Sequence, residues 1–163
     1  MKIELATTTA HLNDVANLFN DYRIFYEQPS DINGAKSFIK DRLNNKDSII
    51  FVASTEKHGD KSVGFTQLYP TFSSVSMKRQ YVLNDLFVTP DCRRDGVGKA
   101  LIQHAQDFAI NEQDCKGLAL ATAYDNVVAQ SLYEQLGFIK DETFYHYSWT
   151  VPTIPSSSAS DLN

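Results

Sequence analysis

Apolar residues recur along this chain with two different periods, and each change of period marks an element. Residues 3–6 read as a short strand. From Thr9 onward, Leu12, Val15, Leu18, Phe19, Tyr22 and Phe25 return at three- and four-residue spacing, which predicts an amphipathic helix ended by Pro29. Asp31 is placed to cap a second helix carrying Ile32, Ala35, Phe38, Ile39 and Leu43. Residues 48–54 (SIIFVAS) and 62–69 (SVGFTQLY) form a predicted strand pair across a polar turn that holds Gly59. A polar loop at 71–78 leads to a central strand at 80–88 (QYVLNDLFV), stopped by Pro90. Residues 97–111 carry Leu101, Ala105, Phe108 and Ala109 on one helical face. Residues 116–123 (KGLALATA) predict a strand that needs burial on both faces. A last helix at 127–135, with Ala129, Leu132, Tyr133 and Leu136 on its stripe, ends at Gly137. Two further strands are expected at 138–140 and 144–150 (FYHYSWT), the second with Tyr145, Tyr147 and Trp149 alternating against His146. The order β-α-α-β-β-β-α-β-α-β-β predicts an α/β (α+β) fold: a mixed, mostly antiparallel sheet flanked by helices.

At 163 residues and 18.3 kDa the chain is expected to be one domain over residues 1–150, followed by a Pro/Ser tail at 151–163. A net charge of −5 argues against a nucleic-acid binder, which needs a basic face, and leaves a cationic partner open. Cys92 and Cys115 do not form a CxxC pair, and the four histidines show no ligand spacing, so neither a disulfide framework nor a metal site is expected. No apolar run approaches the roughly 20 residues of a membrane helix, so a soluble, cytoplasmic protein without membrane partners is the expectation.

The chemistry concentrates in residues 83–101, LNDLFVTPDCRRDGVGKAL. A strand enters a loop with Gly96 and Gly98, and a helix opens there, so outward N–H groups and the helix dipole attract an anion. Arg93, Arg94 and Lys99 add positive charge. A P-loop fails because Ala100 follows Lys99, and a Rossmann loop fails because Leu101 replaces its third glycine. The remaining alternative is a plain strand–helix turn.

Arg93-x-x-Gly96-x-Gly98 after LFVTPD, together with NVVAQSLYEQLGF from Asn126 to Phe138, resembles the GNAT superfamily of acetyl-CoA-dependent N-acetyltransferases. The resemblance covers residues 1–150 and is nearest to the polyamine (diamine) acetyltransferase branch. It implies that Leu86, Phe87 and Val88 pair with the pantetheine arm of acetyl-CoA. The loop of Arg93, Arg94, Asp95, Gly96, Val97, Gly98 and Lys99 would cradle the pyrophosphate, although the family usually has glycine where Arg94 stands. Asn126 would bond the pantetheine part, and Tyr133 would protonate the departing thiolate. Asp85 would serve as base. Tyr22, Tyr26, Glu27 and Asn84 would line the acceptor pocket, although an amide at Asn84 replaces the carboxylate of the polyamine branch.

Each role has a plainer alternative. Tyr133 lies on an apolar stripe and fits a core, Asp85 fits a structural carboxylate, and the α-helical aromatics fit ordinary packing. Cys92 has no neighbouring histidine and is a poor covalent carrier. The expectation is direct acetyl transfer to a primary amine of a small molecule, of amino-acid or polyamine type, by a homodimeric enzyme without a metal. A protein lysine or N-terminus is the alternative acceptor, and a non-catalytic acyl-CoA sensor is the alternative class.

Overall fold

A computed structural model of the chain describes residues 1–152. Strands β1 (Lys2–Leu5), β2 (Ile49–Thr55), β3 (Lys61–Ser73), β4 (Lys78–Val88) and β5 (Cys115–Ala119) form one sheet in that order. The first three pairings are antiparallel and β4–β5 is parallel. A parallel neighbour requires a crossover, and helix α3 (Val97–Asn111) supplies it. Helices α1 (Thr8–Phe25) and α2 (Ile32–Asn45) precede β2, and α4 (Val127–Gln135) follows β5. No helix among the described residues is long and apolar enough to cross a membrane.

Local chemistry sets the helix starts. Thr7 caps α1 by accepting from the Ala10 amide at 3.4 Å, and Asp31 caps α2 from the Gly34 amide at 2.8 Å. Each face of the sheet then buries its own cluster. Val15, Phe19 and Ile39 from α1 and α2 meet Ile50, Phe65 and Phe87 on one side. Leu101, Ile102 and Ala105 from α3 meet Phe51, Leu68 and Leu83 on the other, with Leu132, Tyr133 and Leu136 of α4 packed against them.

Two bulges assign strand residues to these faces. Ala53 pairs Gly64 but Ser54 pairs Ser62, which leaves Val63 as an extra residue on β3. Gln67 pairs Asp85 but Leu68 pairs Leu83, which leaves Asn84 as an extra residue on β4. One extra residue exchanges the faces of everything after it. Tyr81 and Leu83 therefore belong to the α3 side, whereas Phe87 belongs to the α1 side.

Several expectations are corrected. The loop expected at 71–78 is instead the end of a long hairpin, since β3 runs to Ser73 and β4 starts at Lys78. The strand expected at 116–123 stops at Ala119 and is half-buried rather than covered on both faces. The strands expected at 138–140 and 144–150 are not formed. A strand needs a neighbour for its backbone groups, and there the Asp141 carboxylate takes the Thr143 amide at 2.8 Å and the Phe144 amide at 3.2 Å instead. The expected tail lies outside the described residues apart from Val151 and Pro152.

Deleting Asn84 tests the bulge. With Asn84 gone, Leu83 still pairs Leu68 and Asp85 still pairs Gln67 in one unbroken ladder, so Asp85 and Phe87 keep their faces. The loss is the hydrogen bond from Asn84 to Asp85, about 1–3 kcal/mol. Chemical denaturation should show that modest loss; a variant that no longer folds would mean that the ladder does not close when the surplus residue is removed.

Candidate active site

The parallel ladder between β4 and β5 is short. Only Arg79, Tyr81 and Val82 pair with β5, and the register shifts where Gly117 takes a φ of +136°. From Leu83 to Val88 the β5-facing edge of β4 has no strand partner among the described residues. Exposed backbone N–H and C=O groups there can accept an extended chain as an added strand.

That edge runs into the loop before α3. Gly96 forms the N-cap with a φ of 81°, the left-handed region that favours glycine. No side chain caps the helix and its first turn has no acidic residue, so its leading N–H groups are free for an anion. Arg94, the departure from the family glycine, also sits at a φ of 70°. The pattern kept the left-handed turn and exchanged the residue. Arg93 is engaged differently: its Nε donates to the Val88 carbonyl at 3.1 Å, and its guanidinium lies over the Phe25 and Phe87 rings. Asp95 turns to Lys57, 2.7 Å away.

Asp85 sits behind the edge and is 3% exposed. Its Oδ2 accepts from Gln67 Nε2 at 2.6 Å and its Oδ1 from Asn84 Nδ2 at 3.0 Å, and the Tyr22 phenol is close enough to favour its charged form. Gln67 is fully buried and takes the Ser48 hydroxyl on its other end at 2.9 Å. Burial raises the Asp85 carboxyl above its ordinary range, and the bonds from Gln67, Tyr22 and Asn84 hold it partly back. The same buried region pushes Tyr69 up to about 12, through its own burial first and the Asp85 charge second. Burial, then Asp85, raises Tyr22 further.

Aromatic contacts carry this cluster outward. Tyr22 packs edge-on against Tyr26 at 5.0 Å and against Phe87 at 6.5 Å. Tyr133 is half-buried on α4, with its ring 5.9 Å from Phe138. Its hydroxyl is raised above the ordinary tyrosine value by burial and then by Tyr26. Leu132, its neighbour, lies beside Gly98 at the start of α3.

The fold thus brings together the β4 edge at Leu86, Phe87 and Val88, the loop from Arg93 to Lys99, and Asp85 with Tyr22 and Tyr26. Glu27 follows as an exposed residue with a φ of 60°. Two residues are engaged inside the chain. Asn126 caps α4 by accepting from the Ala129 amide at 3.3 Å, and Asn84 spends its amide on Asp85. Sequence reasoning passed over Gln67, Ser48 and Lys57. Gln67 had a signal, a large polar residue inside the apolar run SVGFTQLY; Ser48 and Lys57 had none.

A family model described as the Acetyltransferase (GNAT) family matches residues 12–138, and the chain belongs to that family. It is 52% identical over 138 residues to YhfO, an uncharacterized N-acetyltransferase of Bacillus subtilis (strain 168), covering 85% of this chain and 90% of that protein. A crystal structure of a probable acetyltransferase superposes with a TM-score of 0.86 at 39% identity, over 94% of this chain and 100% of that one. The crystal structure of an aminoglycoside acetyltransferase, meta-AAC0020 from an uncultured soil metagenomic sample, matches with a TM-score of 0.76 at 22% identity over 93% and 96% of the two chains. That likeness shows the fold alone. The protein is therefore an acetyltransferase enzyme of GNAT type, a family that uses acetyl-CoA as co-substrate.

The Asp85 carboxyl holds its proton more tightly in the native protein than in the unfolded chain. Stability should therefore fall as pH rises from the ordinary 3.8 through the raised native value, and the penalty should stay in place above it. Denaturation of the parent and of Asp85→Asn across pH 3.5–7 (roughly half a unit per step) should show that slope only in the parent. Equal slopes would place the ionised carboxylate in no unfavourable setting.

Proposed function

We propose that this enzyme transfers the acetyl group of acetyl-CoA to the primary amine of a small molecule, of amino-acid or polyamine type, in a ternary complex. The observation that carries the reading is the unpaired β4 edge from Leu83 to Val88, ending at the uncapped N-terminus of α3. A pantetheine arm is a chain of amides and suits an open strand edge. A pyrophosphate suits free helix N–H groups flanked by Arg94 and Lys99. Acetyl-CoA supplies an acyl group activated as a thioester. Free Cys92 and Cys115 suit a reducing, cytoplasmic setting.

The residues divide the work. Tyr22, Tyr26 and Glu27 form a wall where a cationic amine meets aromatic faces and a carboxylate. An amine of ordinary pKa is mostly protonated at neutral pH, and freeing its lone pair costs about 4 kcal/mol. Asp85 is too buried to meet the amine directly. Its bond from Tyr22 offers a relay in which the phenol oxygen takes the ammonium proton while its own proton passes to Asp85. The free amine attacks the thioester carbonyl, backbone N–H groups receive the negative charge on oxygen, the C–S bond breaks, and the acetylated nitrogen sheds its second proton to solvent as the amide forms. Tyr133 then protonates the thiolate. Its raised pKa keeps that proton in place through neutral pH and makes the transfer less evenly balanced than an ordinary phenol would.

Two substitutions test the site. Aspartate is among the side chains that tolerate a left-handed backbone, and no atom lies near the position of an added Cβ at Gly96, so Gly96→Asp should fold. Its carboxylate would face the phosphates, and calorimetry should detect no acetyl-CoA binding. Binding as in the parent would place the phosphate site elsewhere.

Tyr133→Phe removes one hydroxyl and keeps the packing on α3. Acetyl-CoA affinity should change by less than about 1 kcal/mol, while kcat should fall roughly 10²–10⁴-fold. Release of free coenzyme A thiol across a panel of amines and peptides reads both the rate and the acceptor class. A parent that binds acetyl-CoA yet acetylates no member would identify an acyl-CoA sensor, and a preference for peptides would identify a protein acceptor.

A further inference from the structure

Among the described residues, five polar or charged side chains are buried, and four of them form one hydrogen-bonded group at the junction of β3 and β4. Thr66 donates its hydroxyl to the Asp85 main-chain carbonyl at 2.8 Å, and Gln67 donates its amide to the Asp85 carboxylate at 2.6 Å. Neighbouring residues of β3 thus hold one residue of β4 by its backbone and by its side chain. Ser48, just ahead of β2, completes the group by donating to Gln67 Oε1 at 2.9 Å. That bond satisfies the far end of the amide with its N–H side turned to Asp85. Tyr69 lies close enough for the same amide to favour its charged form. Gln67 is fully buried, so it meets no substrate and acts only on its neighbours.

We infer that Gln67, oriented by Ser48, is the positioning residue of Asp85: it holds the buried carboxyl in its ionised form, ready to take a proton at neutral pH. Its bearing on acetyl transfer rests on the proposed reading of Asp85 as base. The chemistry of the amide sets the direction. An N–H donates and never accepts, so it favours the carboxylate over the acid. A bond to an ionised acceptor is also about twice as strong as one to a neutral acceptor. A buried carboxyl without such a donor would keep its own proton and accept no other. Room for the incoming proton remains, because a carboxylate has about four acceptor positions. Gln67 takes one on Oδ2 and Asn84 one on Oδ1, so a proton displaces neither amide. The two amides are not equivalent. Asn84 is exposed, and water can stand in for it, whereas the place of Gln67 is closed to solvent.

Carbon-13 labelling of aspartate carboxyls lets NMR read the titration midpoint of Asp85 directly, with its signal assigned by its loss in Asp85→Asn. Gln67→Leu should raise that midpoint by about 1–2 pH units. Gln67→Glu should raise it further, because two adjoining carboxyls hold one proton between them. Ser48→Ala, which leaves the amide in place but unoriented, should give a smaller rise in the same direction, and it carries the test should Gln67→Leu fail to fold. With the panel amine that turns over fastest, the low-pH limb of kcat/KM should move up with the midpoint. Well above that limb Gln67→Leu should recover most of the parent's kcat, whereas damage to packing alone would leave it slow at every pH. A parent midpoint above neutrality, or one that none of these substitutions moves, would overturn the inference whatever the activity. A midpoint that rises while the limb stays in place would uphold the hold of Gln67 on Asp85 and overturn the reading of Asp85 as base.

Discussion

Asn84 is one residue more than the β3–β4 ladder can pair, and the arrangement of the site follows from that surplus. Were Asn84 paired with Gln67 in a ladder without that surplus, Asp85 would share a face with Leu83 and point into the apolar cluster under α3. With it, Asp85 and Phe87 turn to the α1 side, where Gln67 and Tyr22 wait with hydrogen-bond donors. The surplus residue also donates to the carboxylate that it redirects. A bulge bends its strand and increases its twist, and the β4–β5 ladder ends at Val82, just before the bulge. Steering the carboxylate and opening the edge are thus adjacent consequences of one local irregularity.

The buried carboxylate is tolerable because its partners form a closed chain. An ionised group out of water needs several strong hydrogen bonds, and an unsatisfied donor or acceptor beside it would be costly. Gln67 meets both demands, giving its amide to Asp85 and offering its carbonyl to Ser48. The link to function lies in what remains unbalanced. These donors do not fully offset the burial, so Asp85 retains a raised affinity for a proton, and in the proposed mechanism the Tyr22 phenol is the group through which one arrives.

The order of elements up to α4 and the two motifs were legible in the sequence because they rest on local signals: helical spacing, the cap at Asp31, glycines beside arginines. The bulge was not. In QYVLNDLFV the buried residues Tyr81, Leu83, Asp85 and Phe87 keep a strict alternation, which reads as one face although two faces are served. Only the pairing to β3 reveals the change. The C-terminal strands failed for a related reason. Strand propensity in FYHYSWT was read correctly, but a strand exists only where another backbone completes it, and sequence alone does not say where that backbone is.

Charge at the loop shows how an acidic protein can still hold an anion. Net charge over the chain is −5, so the attraction must be local and the nearby carboxylates must be neutralised. Asp95 lies within the loop itself, and Lys57, carried by the turn between β2 and β3, cancels it at 2.7 Å. Arg93 is committed to the Val88 carbonyl and two rings, which ties the end of β4 to α1 and keeps the loop in place. In the proposed reading, that leaves Arg94, Lys99 and the free amides of α3 for a phosphate. At physiological salt exposed charges act over about 8 Å, so these few groups, not the total charge, decide what the loop attracts.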